Sequence, residues 1–219
     1  MSYAYASDAI DLIAVAMLVL AIVMVWTRSV GLALVILGIQ SFLLSLAGLH
    51  AGLATESWHV LGGAGMTFVV KAVAAPLLLW LIVQRLPASH EIPAWPGQGW
   101  NVIAAIVMAL VVARSLTADP FRSAIGAERV LPTAITVMLI GIQLMVTHRQ
   151  ALMQIIGFLV LENGMAFAAL TAFYGMPFVI ELGIFLDLLL AVLVAFVYSQ
   201  RMHMTFGSLD THHLRSLRG

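Results

Sequence analysis

Residues 59–86, HVLGGAGMTFVVKAVAAPLLLWLIVQRL, and residues 151–173, ALMQIIGFLVLENGMAFAALTAF, decide the fold. At about 1.5 Å of rise per residue each run is long enough to cross a hydrocarbon core about 30 Å thick. Each also carries a single ionisable side chain in mid-span, Lys71 in the first and Glu162 in the second. A third apolar run, Pro177 to Tyr198, holds Asp187 at its centre. Placing one such charge at bilayer depth costs about 2.5 to 3.5 kcal/mol, so three of them, of both signs, point to charge handling inside a membrane.

Composition agrees with a membrane protein. Of the 219 residues, 63% are hydrophobic and 9% charged, with a mean hydropathy of +1.07. A water-soluble domain would carry about 25% charged residues. The formal net charge is zero and the ten basic residues are spread along the chain, which excludes a nucleic-acid partner. There is no cysteine, so thiolate-held clusters, disulfides and thiol nucleophiles are excluded. His50, His59 and His148 fall at helix ends and offer no facing pair for a haem. No GxSxG, Walker or HExxH pattern occurs, so no cofactor is expected in this chain and any redox centre belongs to a partner.

Apolar spans recur at roughly 9–27, 29–49, 59–85, 99–116, 130–147, 151–173 and 177–199, which predicts an all-α integral membrane protein of about seven transmembrane helices. The first span lacks a basic leader region and carries Asp8 and Asp11 at its start, so it is expected to be retained. Arg28, Arg85, Arg149, Arg201, Arg215 and Arg218 on one side outnumber Arg114, Arg122 and Arg129 on the other, which predicts N-out, C-in. Trp26, Trp58 and Trp100 fall at span ends, where the ring sits among lipid headgroups. Proline- and glycine-containing connections at Pro87–Gly97 and Thr117–Glu128 divide the chain. Residues 1–86 form a three-helix segment, 87–129 a loop, single helix and loop, 130–199 a second three-helix module, and 200–219 a cytoplasmic tail.

Among the charged residues Glu162 lies about 18 Å along its helix, near the midplane, with Asn163 beside it and Gly157 and Gly164 leaving room for a neighbouring backbone. A carboxylate at that depth must be protonated or paired with a cation. Asp187 has only leucines around it and needs a partner from another helix or from water. Lys71 lies too deep to reach an interface with a stem of about 6 Å, and Pro76 one turn on frees a backbone carbonyl near it. Glu181, nearer the outer surface, is an entry-group candidate. Gln40, Gln143 and Gln154 read as interhelical hydrogen-bonding residues.

The stretch His148 to Gly157, continuing through Phe158-Leu159-Val160-Leu161-Glu162-Asn163-Gly164, resembles the K subunit of respiratory complex I, whose second helix follows a basic loop with Ile-Gly, a buried Glu and an Asn. Leu159 stands where that family has its Glu, and Glu162 lies one turn later on nearly the same face. Asp187 with its leucine run resembles the acidic site of that subunit's third helix. The additional N-terminal spans and the tail, with Phe206-Gly207-Ser208-Leu209-Asp210 and Leu214-Arg215-Ser216-Leu217-Arg218-Gly219, resemble the E component of hydrogenase-4 and formate hydrogenlyase complexes.

That resemblance implies a non-catalytic subunit of a proton- or sodium-translocating membrane hydrogenase in a prokaryotic cytoplasmic membrane. Its partners would be antiporter-like and H-type membrane subunits, peripheral nickel-iron hydrogenase and iron-sulfur subunits, and lipid. Glu162 and Asp187 would carry the ion path, with Lys71 as a further station. Two other readings of the residues stay open, a scaffold whose acids are inert and a subunit of a cation/proton antiporter.

Overall fold

A computed structural model describes residues 2–85, 97–116, 130–148 and 150–172. The chain divides into Met1–Ile180 and Glu181–Gly219, and all described residues belong to the first unit. They form helices, with single β-bridge residues at Ser29 and His148: α1 (Ser2–Trp26), α2 (Val30–Ala54), α3 (Trp58–Thr67), a π-helical segment (Phe68–Ala74), α4 (Ala75–Arg85), α5 (Gln98–Leu116), α6 (Leu131–Thr147) and α7 (Ala151–Ala172). The expected span at 177–199, with Glu181 and Asp187, and the tail at 200–219 lie outside the described residues.

Four of these helical stretches are long and apolar enough to cross a membrane: Asp8–Trp26, Val30–Ala54, Trp58–Leu81 and Leu152–Thr171. Gly99–Ser115 and Leu131–Thr147 are shorter apolar helices. The third long stretch is α3, the π segment and α4 run together. Helices apolar all round belong in lipid, because the outward face then needs no polar cover. On α1 the outward residues Leu12, Val15, Val19 and Val23 are exposed, while Ala14, Met17, Ala21 and Met24 on the other side are buried. On α2 Leu32, Val35, Ile39, Phe42 and Leu46 face outward, against buried Leu34, Leu37 and Leu44. The chain is a membrane protein on these grounds.

Close approach between helices comes from small residues, since packing rather than water exclusion drives association in lipid. α6 and α7 pack over the greatest length. A Cβ on Gly141 would lie 2.5 Å from the Leu161 nitrogen and 2.7 Å from the Gly157 oxygen. One on Gly157 would lie 2.8 Å from the Gly141 oxygen, and one on Gly164 would lie 2.9 Å from the Met138 nitrogen. Gly141 against 157–161 and Met138 against Gly164 define an antiparallel register for the hairpin. Elsewhere α2 packs on α7 and on the α3–π–α4 stretch, and α1 packs on α2, α5 and α6. One apolar cluster joins Ala14, Met17, Leu44, Ala47, Val130, Ala134 and Phe167.

The π segment has a local cause. Pro76 has no N–H for the carbonyls of Lys71 or Ala72 and its ring crowds the preceding turn. The ladder widens ahead of it, with Ala75 N–H donating to the Val70 carbonyl. Gly38 of α2 fits against this widened turn, its Cβ direction 3.4 Å from the Ala72 oxygen and 3.6 Å from the Pro76 ring. Lys71 sits at the middle of the segment and is its buried residue.

Candidate functional site

Lys71 and Glu162, read from the sequence as separate mid-span charges, meet. The Lys71 Nζ lies 2.7 Å from Glu162 Oε1, and both side chains are almost fully enclosed, at 7% and 3% exposure. The pair joins the N-terminal three-helix segment to α7, across 91 residues of chain. Enclosure at this depth fits two charges that compensate each other, because an unpaired charge would carry its whole desolvation cost.

A row of polar groups adjoins the pair. Asn163, next to Glu162, donates through Nδ2 to Ser41 Oγ at 3.0 Å and, more weakly, to Gln40 Oε1 at 3.5 Å. Gln40 Nε2 in turn donates to the Met17 carbonyl of α1 at 3.2 Å. Gln40, Ser41, Lys71, Glu162 and Asn163 are all buried. Polar side chains from α2, the π segment and α7 therefore share one interior, and α1 supplies a carbonyl at its far end. Asn163→Leu, which leaves Ser41 and Gln40 without their donor, is expected to lower stability by about 1 to 2 kcal/mol in a detergent melting experiment.

Among the glutamines, Gln40 and Gln143 do join helices, Gln143 Nε2 donating to the Asn101 carbonyl of α5 at 2.7 Å. Gln154 does not, which corrects the expectation for it. It lies exposed in the first turn of α7 and reaches back to the His148 carbonyl at 3.2 Å, closing the α6–α7 connection. Ser41 was not legible as a site residue. The available signal was its place beside Gln40 in an otherwise apolar helix. Among the described residues no cluster of three or more His, Cys, Asp or Glu side chains could hold a metal ion.

His148, expected at a helix end, is there but buried at 1% exposure. Its Nδ1 lies 3.0 Å from the Leu144 carbonyl and 3.1 Å from Thr147 Oγ1. Burial lowers its pKa below the usual 6.5, and the Leu144 carbonyl opposes that in part. The folded chain thus binds fewer protons here than the unfolded chain. This contribution to stability is present above about 6.5 and is lost as pH falls toward the lower folded value. Melting curves taken from pH 8 downward should show that loss, and His148→Asn should diminish it.

Fold and site together define a class: a helical membrane protein with a compensated Lys–Glu pair and an amide row in its interior. An uncharacterised protein of Mycobacterium tuberculosis, Rv0085, is 28% identical over 226 residues, covering all of both chains. Hydrogenase-4 component E of Escherichia coli, and likewise that of Shigella flexneri, is 26% identical over 152 residues, covering 69% of this chain and 70% of the relative. The similarity to hydrogenase-4 component E agrees with the resemblance read from the sequence. No protein-family model matches it. No solved structure matches it either.

Proposed function

We propose that this chain is a membrane subunit of a hydrogenase complex of the hydrogenase-4 kind and that the Lys71–Glu162 pair is a station on its proton or sodium path. The observation that carries the reading is the ion pair itself, enclosed at mid-span and made between two segments distant in sequence. A carboxylate and an ammonium in contact form a two-state element. A proton or cation arriving at Glu162 releases Lys71, and its departure restores the pair, so local charge can be passed on without a lasting charge in lipid.

The remaining parts of the reading follow the resemblance. Seven spans run N-out and C-in through a prokaryotic cytoplasmic membrane, residues 130–199 act as a module like the K subunit of complex I, and Asp187 continues the path with Glu181 at its outer end. Antiporter-like and H-type membrane subunits flank the chain, and nickel-iron and iron-sulfur subunits supply the electrons. This subunit couples and does not catalyse.

The test is Glu162→Gln in the assembled complex in liposomes, with hydrogen turnover and ion movement recorded together. Ion movement is expected to fall by a factor of about 100 or more, the scale of a lost proton-transfer group, while uncoupled hydrogen turnover persists. Normal ion movement in this variant would leave the chain a scaffold. Activity of the chain alone in liposomes would instead make it part of an antiporter.

A further inference from the structure

Where α6 ends, at the connection to α7, three buried polar atoms have no hydrogen-bond partner among the described residues: His148 Nε2, Gln143 Oε1 and Asn101 Nδ2. His148 and Asn101 are more than nine-tenths buried, at 1% and 3% exposure. We infer that His148, Gln143 and Asn101 form a proton inlet at this end of the bundle, with water and the proton as its ligands. The inference rests on the ion-path reading above.

The hydrogen bonds assign the chemistry of each atom. A carbonyl only accepts, so the His148 nitrogen facing the Leu144 carbonyl at 3.0 Å is Nδ1–H. Thr147 gives its hydroxyl hydrogen to the Gln143 carbonyl at 2.8 Å and is left to share the Nδ1–H. Nε2 of the neutral ring is then a bare lone pair. By the same reasoning the Gln143 atom 2.7 Å from the Asn101 carbonyl is its nitrogen, which leaves Gln143 Oε1 as acceptor and Asn101 Nδ2 as donor on either side of one contact. Buried donors and acceptors left open in this way are the groups that buried water satisfies.

The register of the hairpin fixes the height of the three groups. Residues 138–141 of α6 lie level with 161–164 of α7. Gln143 is therefore about 5 Å, and His148 about 12 Å, nearer the connection than Glu162, at 1.5 Å per residue. The groups descend from close to the level of the ion pair to the end of the bundle, on the side where α6 meets α5. Charged groups on the helices packed against α6 are Asp8 and Asp11 of α1, Arg114 of α5 and Glu162 of α7. The first three lie toward the opposite end, since residues 14–17 of α1 pack with Val130 and Ala134 and since Asn101 meets Gln143. Arg28, just past α1, is exposed and lies at the same end as His148, since α1 runs alongside α6 in the same direction. In the transfer step a proton from water adds to the Nε2 lone pair, giving imidazolium, and leaves from the same nitrogen to the next water. Nδ1–H is unchanged throughout and no electron moves.

Two measurements test the inlet. In the full chain in nanodiscs, nitrogen-15 spectra of labelled histidine, with His148 assigned by its loss in His148→Asn, should show Nδ1–H and a bare Nε2 at pH 8. A hydrogen on Nε2 at that pH would overturn the assignment. In the assembled complex, His148→Asn keeps a donor toward Leu144 but removes the base. It should slow ion movement by about tenfold, less than the loss of a transfer group in full because water substitutes in part. The slowing should be greatest at high pH, where protons are scarce. Ion movement equal to that of the unaltered complex across pH would overturn the inlet whatever Glu162→Gln does. Slowing by His148→Asn together with normal pumping by Glu162→Gln would retain the inlet and remove the ion pair from the path.

Discussion

Lys71→Met will destabilise the chain by about 3 to 5 kcal/mol, because it strands the Glu162 carboxylate in an interior where its compensating charge has been removed. Methionine is close to lysine in volume, so packing along the π segment is kept and the loss reports the charge. Adding Glu162→Gln removes the stranded charge, and the double variant should recover most of the loss. Thermal melting of the four proteins in one detergent measures this directly. A double variant worse than Lys71→Met alone would mean that the 2.7 Å contact contributes by packing and not by charge compensation.

Gly141→Leu should be the other severe substitution, costing about 3 kcal/mol or more, at the upper end of overpacking effects. Its Cβ would meet backbone, the Leu161 nitrogen at 2.5 Å and the Gly157 oxygen at 2.7 Å, so no side-chain rotation relieves it. The two helices must separate, and Glu162 follows Leu161 directly. The variant should therefore also disturb the ion pair, lowering both the melting temperature and ion movement. Gly31→Leu provides the contrast: nothing lies within 4 Å of its Cβ direction, and leucine there should be close to neutral.

The helices were legible because apolar runs near 20 residues have a single structural outcome in lipid, where every backbone group must be satisfied within its own segment. The two interior charges were legible for a related reason, since a Lys or Glu in such a run is too costly to be incidental. Their meeting was not. Lys71 and Glu162 are separated by α4, by two further helices, α5 and α6, and by three connections, and no local pattern encodes which helices become neighbours. The π segment was half legible: Pro76 announced a disturbed ladder, but widening, kinking and breaking are all open to a helix ahead of proline. His148 was placed at a helix end correctly, but its burial was not legible there. Its ring turns back onto the last turn of α6, with Nδ1 3.0 Å from the Leu144 carbonyl, and is enclosed there.

If the pair is one station, its two members must fail together. The decisive measurement is ions moved per hydrogen turned over in the assembled complex, for the unaltered protein, Glu162→Gln, Lys71→Met and the double variant. Groups acting as a unit are strongly non-additive, so each single variant should lose about as much as the double. Losses that multiply in the double variant, or a single variant that moves ions at the unaltered ratio, would contradict a shared role for Lys71 and Glu162.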